Sequence, residues 1–153
     1  MSGLSWNSFW KRLPNAEEAL ALAEITDIRK LTQLAGLLRD QGHGNLVSYS
    51  RKIFIPLTKL CRDFCHYCTF AQPPSQLRRG FMTPDEVLAL VRQGEAAGCK
   101  EALFTLGDKP ELRYRAAREE LADLGHKTTL SYLAEIAGRV VSETKLLPHL
   151  NAG

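Results

Sequence analysis

Three short stretches that read as strands, separated by segments with helical periodicity, constrain this chain most. The first lies over residues 47–55, where Val47, Tyr49, Ile53 and Ile55 alternate with polar neighbours. Pro56 reads as its end, because proline has no N–H to give a ladder. The second covers residues 101–106 and the third residues 146–150. Between the first two, Thr83-Pro84-Asp85-Glu86 is a strong helix start, with a hydroxyl N-cap, proline at the first helical position and an acid three residues after the cap. That helix runs to about residue 97, and Gly98 stops it. After a tight turn at Gly107-Asp108-Lys109-Pro110, helices are expected over residues 115–124, closed by Gly125, and over residues 131–143. Strands alternating with helices in this way imply an α/β fold with a parallel sheet joined by right-handed crossovers.

The first 45 residues have a different character. Residues 1–14 read as irregular, with Trp6, Phe9 and Trp10 as docking side chains. Asn15 and Glu18 form a capping box for a helix over residues 16–24. Thr26 or Asp27 caps a second helix, on which Leu31, Leu34, Ala35 and Leu38 make an apolar stripe that reads as core packing. Gly42 and Gly44 end it. The organisation expected is a helical extension over residues 1–45 followed by an α/β region over residues 46–153. A full (β/α) barrel needs roughly 200 residues or more. A three-stranded parallel sheet also leaves an open edge and an uncovered face. The chain therefore reads as the first part of an incomplete barrel, belonging to a larger fold.

Composition narrows the function classes. With 44% hydrophobic and 24% charged residues among 153, the chain is neither collagen-like nor disordered, and it is long enough to build a core without disulfides. A net charge of +3, with no dense basic run, gives no nucleic-acid footprint. No stretch approaches the roughly 18 apolar residues of a membrane span. The opening residues lack the basic and apolar regions of a secretory signal, so the cytoplasm, where thiols stay reduced, is the expected compartment.

The chemistry concentrates in the long loop over residues 57–80. Three of the four cysteines fall within eight residues of it, as Cys61-Arg62-Asp63-Phe64-Cys65-His66-Tyr67-Cys68. This C-x3-C-x2-C spacing lets three thiolates reach one centre. Four-iron clusters usually take four cysteines. Three would leave one iron open to an outside ligand, which a catalytic centre requires and a structural one does not. The alternative is a zinc site completed by His66 or Cys99, although zinc sites more often pair two short ligand units separated by a dozen residues or more. Cys99, between Gly98 and Lys100, reads as a small core residue. Arg62 and Lys109 read as surface charges, and Gly107 as a turn glycine suited to positive φ.

The cysteine spacing, with an aromatic just before the last Cys and a position after the first strand, resembles the radical S-adenosylmethionine (SAM) superfamily. The similarity extends further. Tyr49-Ser50-Arg51-Lys52, Phe54-Ile55-Pro56-Leu57-Thr58, CRDFCHYCTFA, ALFTLGDKPE and LLPHLNAG resemble the deazaflavin-forming enzymes of the FO synthase family. The likeness is to the half called CofG, or the N-terminal half of the fused bacterial enzyme, FbiC. It implies an N-terminal part of a partial TIM barrel, with a [4Fe-4S] cluster held by Cys61, Cys65 and Cys68 and with SAM on the open iron. Tyr67 would lie near the SAM adenine. Gly107, Asp108 and Glu111 would occupy the place of the motif that binds the SAM amino group. His149 and Asn151, expected at the carboxyl end of the third strand, would be substrate candidates.

The resemblance also implies the reaction. One electron from the reduced cluster cleaves SAM, and the 5′-deoxyadenosyl radical abstracts hydrogen from a tyrosine-derived adduct of 5-amino-6-ribitylaminouracil. Ring closure with loss of ammonia yields 7,8-didemethyl-8-hydroxy-5-deazariboflavin (Fo). A ferredoxin or flavodoxin as electron donor and a CofH-like partner half complete the implied set.

Overall fold

The computed structural model describes residues 12–152, so Trp6, Phe9 and Trp10 lie outside the described residues. The chain divides into two compact units between Ser48 and Tyr49. In the first unit, α1 (Ala16–Leu22) opens on the expected capping box. Asn15 accepts from the Glu18 N–H, and the Glu18 carboxylate accepts from the Asn15 N–H. Helix α2 (Ile28–His43) is capped by the Asp27 side chain and stops at Gly44. Neither helix contains a buried residue. The stripe on α2 is thus not the core packing that its periodicity suggests. Leu31 and Leu34 are half-buried, while Ala35 and Leu38 are exposed. Two helices alone offer too little apolar surface to enclose it.

The second unit is the expected parallel sheet. Its elements are β1 (Lys52–Thr58), α3 (Pro84–Ala96), β2 (Glu101–Leu106), α4 (Arg115–Asp123), α5 (Thr129–Glu143) and β3 (Leu147–Asn151), with strand order β1-β2-β3. All pairs are parallel, from Lys52 opposite Glu101 to Thr105 opposite Asn151. Two details of β1 differ from the sequence reading. Val47 and Tyr49 lie outside it and are 76% and 85% exposed, because pairing begins only at Lys52. Pro56 does not end the strand but pairs with Thr105, and the register shifts between Pro56 and Thr58. Strand β1 is an end strand of the β1-β2-β3 order, and there a residue without an N–H is tolerated.

Alternation along the strands gives the sheet two unlike faces. Ile55, Leu57, Ala102, Phe104 and Leu106 form the buried one. They pack in a single cluster with Val87, Leu88 and Val91 of α3, Ala117 and Leu121 of α4, and Ile136 and Val140 of α5. Each Val, Leu, Ile or Phe among them contributes about 1.5–3 kcal/mol by leaving water. Helix α3 starts on the capping box read from the sequence, and the Thr83 N–H holds the Glu86 carboxyl below its ordinary range. Tyr132 of α5 donates to the Met82 carbonyl at 2.6 Å, and burial pushes its phenol up. The other face carries Lys52, Phe54, Glu101, Leu103, Leu147 and His149, and Leu147 is 66% exposed. No helix among the described residues is long and apolar enough to cross a membrane.

Candidate metal centre

Strand β1 delivers the chain into the cysteine loop, and both feet of that loop are fixed. Thr58 donates its hydroxyl proton to the Gly80 carbonyl at 2.7 Å and accepts from the Leu60 N–H at 3.1 Å. At the exit, the Glu120 carboxylate of α4 accepts from the N–H groups of Gly80 (2.9 and 2.8 Å) and Phe81 (3.1 Å). The Gln72 N–H reaches the Lys59 carbonyl at 2.9 Å, and Phe70 sets its ring edge-on to Phe54 at 6.2 Å.

The loop between these feet brings the three predicted ligands together. Cys61, Cys65 and Cys68 line one hollow of about 190 Å³, with Asp63, Phe64, His66 and Ala71 completing its wall. Cys61 is half-buried, Cys65 and Cys68 are exposed, and none is in a disulfide. The Asp63 N–H donates to the Cys61 sulfur at 3.4 Å, and the Cys68 N–H to the Cys65 carbonyl at 3.1 Å. Among the described residues, no three His, Cys, Asp or Glu side chains converge on a single point for one metal ion. The thiols instead surround a shared space. Three soft thiol groups lining one hollow are the donor chemistry an iron–sulfur cluster would take. Cys99 packs against the hydrophobic core, as its sequence context suggests. Tyr67 is 89% exposed next to Cys68.

The segment after β2 presses against the entry of the loop. A Cβ on Gly107 would strike the Leu60 carbonyl oxygen and stand 2.6 Å from the Cys61 Cβ. Gly107 is therefore required for close approach rather than for positive φ, and it is Lys109 that adopts the left-handed conformation, at φ 33°. The Asp108 carbonyl accepts from the Arg62 N–H at 2.9 Å, and its carboxylate stands 2.6 Å from the Arg62 guanidinium. Arg62 is thus an anchor between loops, not a loose surface charge. Arg113 completes the contact: it donates to the Arg62 carbonyl at 3.0 Å and lies 3.6 Å above the Phe64 ring. Nothing in the local sequence pattern marks Arg113, since its partners lie about fifty residues away in the chain.

The remaining candidates are dispersed. Glu111 is buried, with its carboxylate accepting from the Thr129 N–H at 3.2 Å and hydroxyl at 2.6 Å, so it secures the start of α5. Asn151 is the last residue of β3, opposite Thr105. His149 is not at the strand end as expected. It sits mid-strand opposite Leu103, and its Nδ1 is 2.8 Å from the Glu101 carboxylate. Glu101 also accepts from Lys52 and from Ser50. The hydrogen bond from Lys52, then those of Ser50 and His149, bring the Glu101 carboxyl down to about 2. This network lies at the amino ends of β1 and β2, away from the cysteines.

Fold and site together define an α/β protein that gathers three free cysteines on the loop after its first parallel strand. No protein-family model matches the chain, and no solved structure does. Curated relatives do. The chain is 46% identical to an FO synthase of Streptomyces avermitilis over 99% of its own length, and 54% identical to an FO synthase of Mycobacterium tuberculosis over 86%. It is 47% identical, over 71% of its length, to a 7,8-didemethyl-8-hydroxy-5-deazariboflavin synthase of Methanopyrus kandleri. The chain is thus a homologue of the FO synthases. It spans 20%, 16% and 32% of these three proteins, respectively.

Proposed function

We propose that this chain is the cluster-bearing portion of a radical SAM enzyme of the FO synthase type, acting in deazaflavin formation. The observation that carries the reading is the common hollow lined by Cys61, Cys65 and Cys68, in a chain homologous to FO synthases over nearly its whole length. The three thiolates would hold a [4Fe-4S] cluster. When bound, the cluster with SAM supplies the electron transfer and the 5′-deoxyadenosyl radical that drive cyclisation of the tyrosine-derived ribitylaminouracil adduct to Fo.

The residues of the chain do the positioning. Tyr67, exposed beside Cys68, is free to lie against the adenine. Gly107 brings the end of β2 against Cys61 without a side chain between them. Of the two acids, Asp108 is the one we assign to the SAM amino group, because its carboxylate stands on Arg62 beside the cysteine turn, whereas Glu111 is buried on Thr129 and supports the segment from behind. Asn151 remains at the carboxyl end of its strand, where a substrate can reach it, while His149 is committed to Glu101. A small ferredoxin or flavodoxin is the proposed reductant, a CofH-like half the proposed partner, and the cytoplasm the proposed compartment.

The test is anaerobic reconstitution with iron and sulfide. The wild-type chain should turn brown, carry iron rather than zinc, and release 5′-deoxyadenosine with dithionite and SAM. Cys61→Ala, Cys65→Ala and Cys68→Ala should each lose the broad charge-transfer absorbance, whereas Cys99→Ser keeps it. Full iron and absorbance in all three alanine variants would reject the ligand assignment.

A further inference from the structure

Arg62 has both of its backbone polar groups taken by the segment after β2. Its N–H goes to the Asp108 carbonyl, and its own carbonyl accepts from Arg113 at 3.0 Å. The Arg62 carbonyl and the Asp63 N–H belong to one planar peptide and point in opposite directions. Pulling the carbonyl toward Arg113 therefore turns the N–H away from it, and that N–H is the group that donates to the Cys61 sulfur at 3.4 Å. One residue further on, the face of the Phe64 ring lies 3.6 Å beneath the same guanidinium, although the residue is 81% exposed. Burial does not account for an aromatic ring in that place. The flat cation above it does.

We propose that Arg113 is a positioning residue for the cysteine turn. It grips the Arg62 carbonyl and the Phe64 ring on either side of Asp63, and so fixes the peptide whose N–H is directed at the Cys61 sulfur. Hydrogen bonds to cluster sulfurs withdraw electron density from them and raise the reduction potential. Arg113 thereby sets how readily the centre accepts its electron. This inference rests on the cluster reading of the site. It does not need Arg113 to touch SAM or substrate.

The experiment uses the full 153-residue chain in two states. In the unloaded chain, amide hydrogen exchange at Asp63 is measured for wild type, Arg113→Lys, Arg113→Ala, Phe64→Leu and Phe64→Tyr. Lysine keeps the charge but not the planar fork that bonds and stacks at once, so both Arg113 variants should lose about tenfold in protection. Phe64→Leu should lose part of it, and Phe64→Tyr should keep it. In the loaded chain, the midpoint potential should fall in the same rank order, a tenfold change in the reduction equilibrium being about 59 mV for one electron. A purely structural role would lower the melting temperature and leave the potential where it was. Unchanged Asp63 exchange in both Arg113 variants would overturn the proposal, as would lost protection with an unmoved potential. A wild-type chain that takes up no iron defeats the cluster reading instead. An iron-loaded wild type with indifferent Arg113 variants defeats this proposal alone.

Discussion

At the amino ends of the strands, Lys52, Ser50 and His149 all converge on Glu101. At the carboxyl ends, three thiols surround a hollow, and the sulfur bond found there is a single backbone N–H to Cys61. In the first arrangement three polar side chains answer one carboxylate. The second keeps its donors available and spends its hydrogen bonds on the backbone that presents them. In barrel-like α/β proteins the carboxyl ends of the strands carry chemistry and the amino ends carry stability, and the two groups of side chains follow that division.

The sharpest way to break this contrast is at Gly107. Gly107→Ala should displace the Cys61 backbone, cost about 1–3 kcal/mol by overpacking and sharply reduce iron uptake. Urea unfolding together with iron analysis measures both effects, and a neutral variant would mean that the two loops are not pressed together. Next comes Glu111, an acid on the cysteine side that behaves like one from the other end. Glu111→Ala leaves the Thr129 N–H and hydroxyl unpaired in a buried place, so a loss of about 1–3 kcal/mol is expected with iron content preserved. Loss of SAM affinity without loss of stability would give Glu111 the role assigned to Asp108. The smallest effect belongs to Glu101. Its folded-state value of about 2 lies below the roughly 4.3 of an unfolded chain, so the stability it adds is present above that unfolded value and is lost as pH falls toward 2. Glu101→Gln should flatten that part of the acid-unfolding curve and leave iron uptake untouched.

Much of the layout is legible in the sequence because it follows from local rules. The capping boxes at Asn15 and Thr83, the stop at Gly98 and the strand over residues 101–106 each depend on residues close together in the chain, and each appears where the sequence places it. The failures are tertiary. Val47 and Tyr49 alternate like a strand but have no neighbour to pair with, and Pro56 is admitted because β1 is an end strand. The site divides in the same way. The cysteine spacing is visible in eight residues, whereas the bond from Arg113 to Arg62 spans about fifty. Periodicity also cannot tell an acid that pairs with the cysteine turn through Arg62 from one that begins a helix, which is the difference between the two acids after β2.

The grip of Glu120 on the Gly80 and Phe81 N–H groups sets how far a disturbance of the loop can travel. With the exit of the loop tied to α4 and its entry tied to Thr58, a change at the exposed Cys65, oxidation included, reaches the sheet only by breaking these anchors. Damage at the tip stays a local event, and the scaffold beneath it is left as it was.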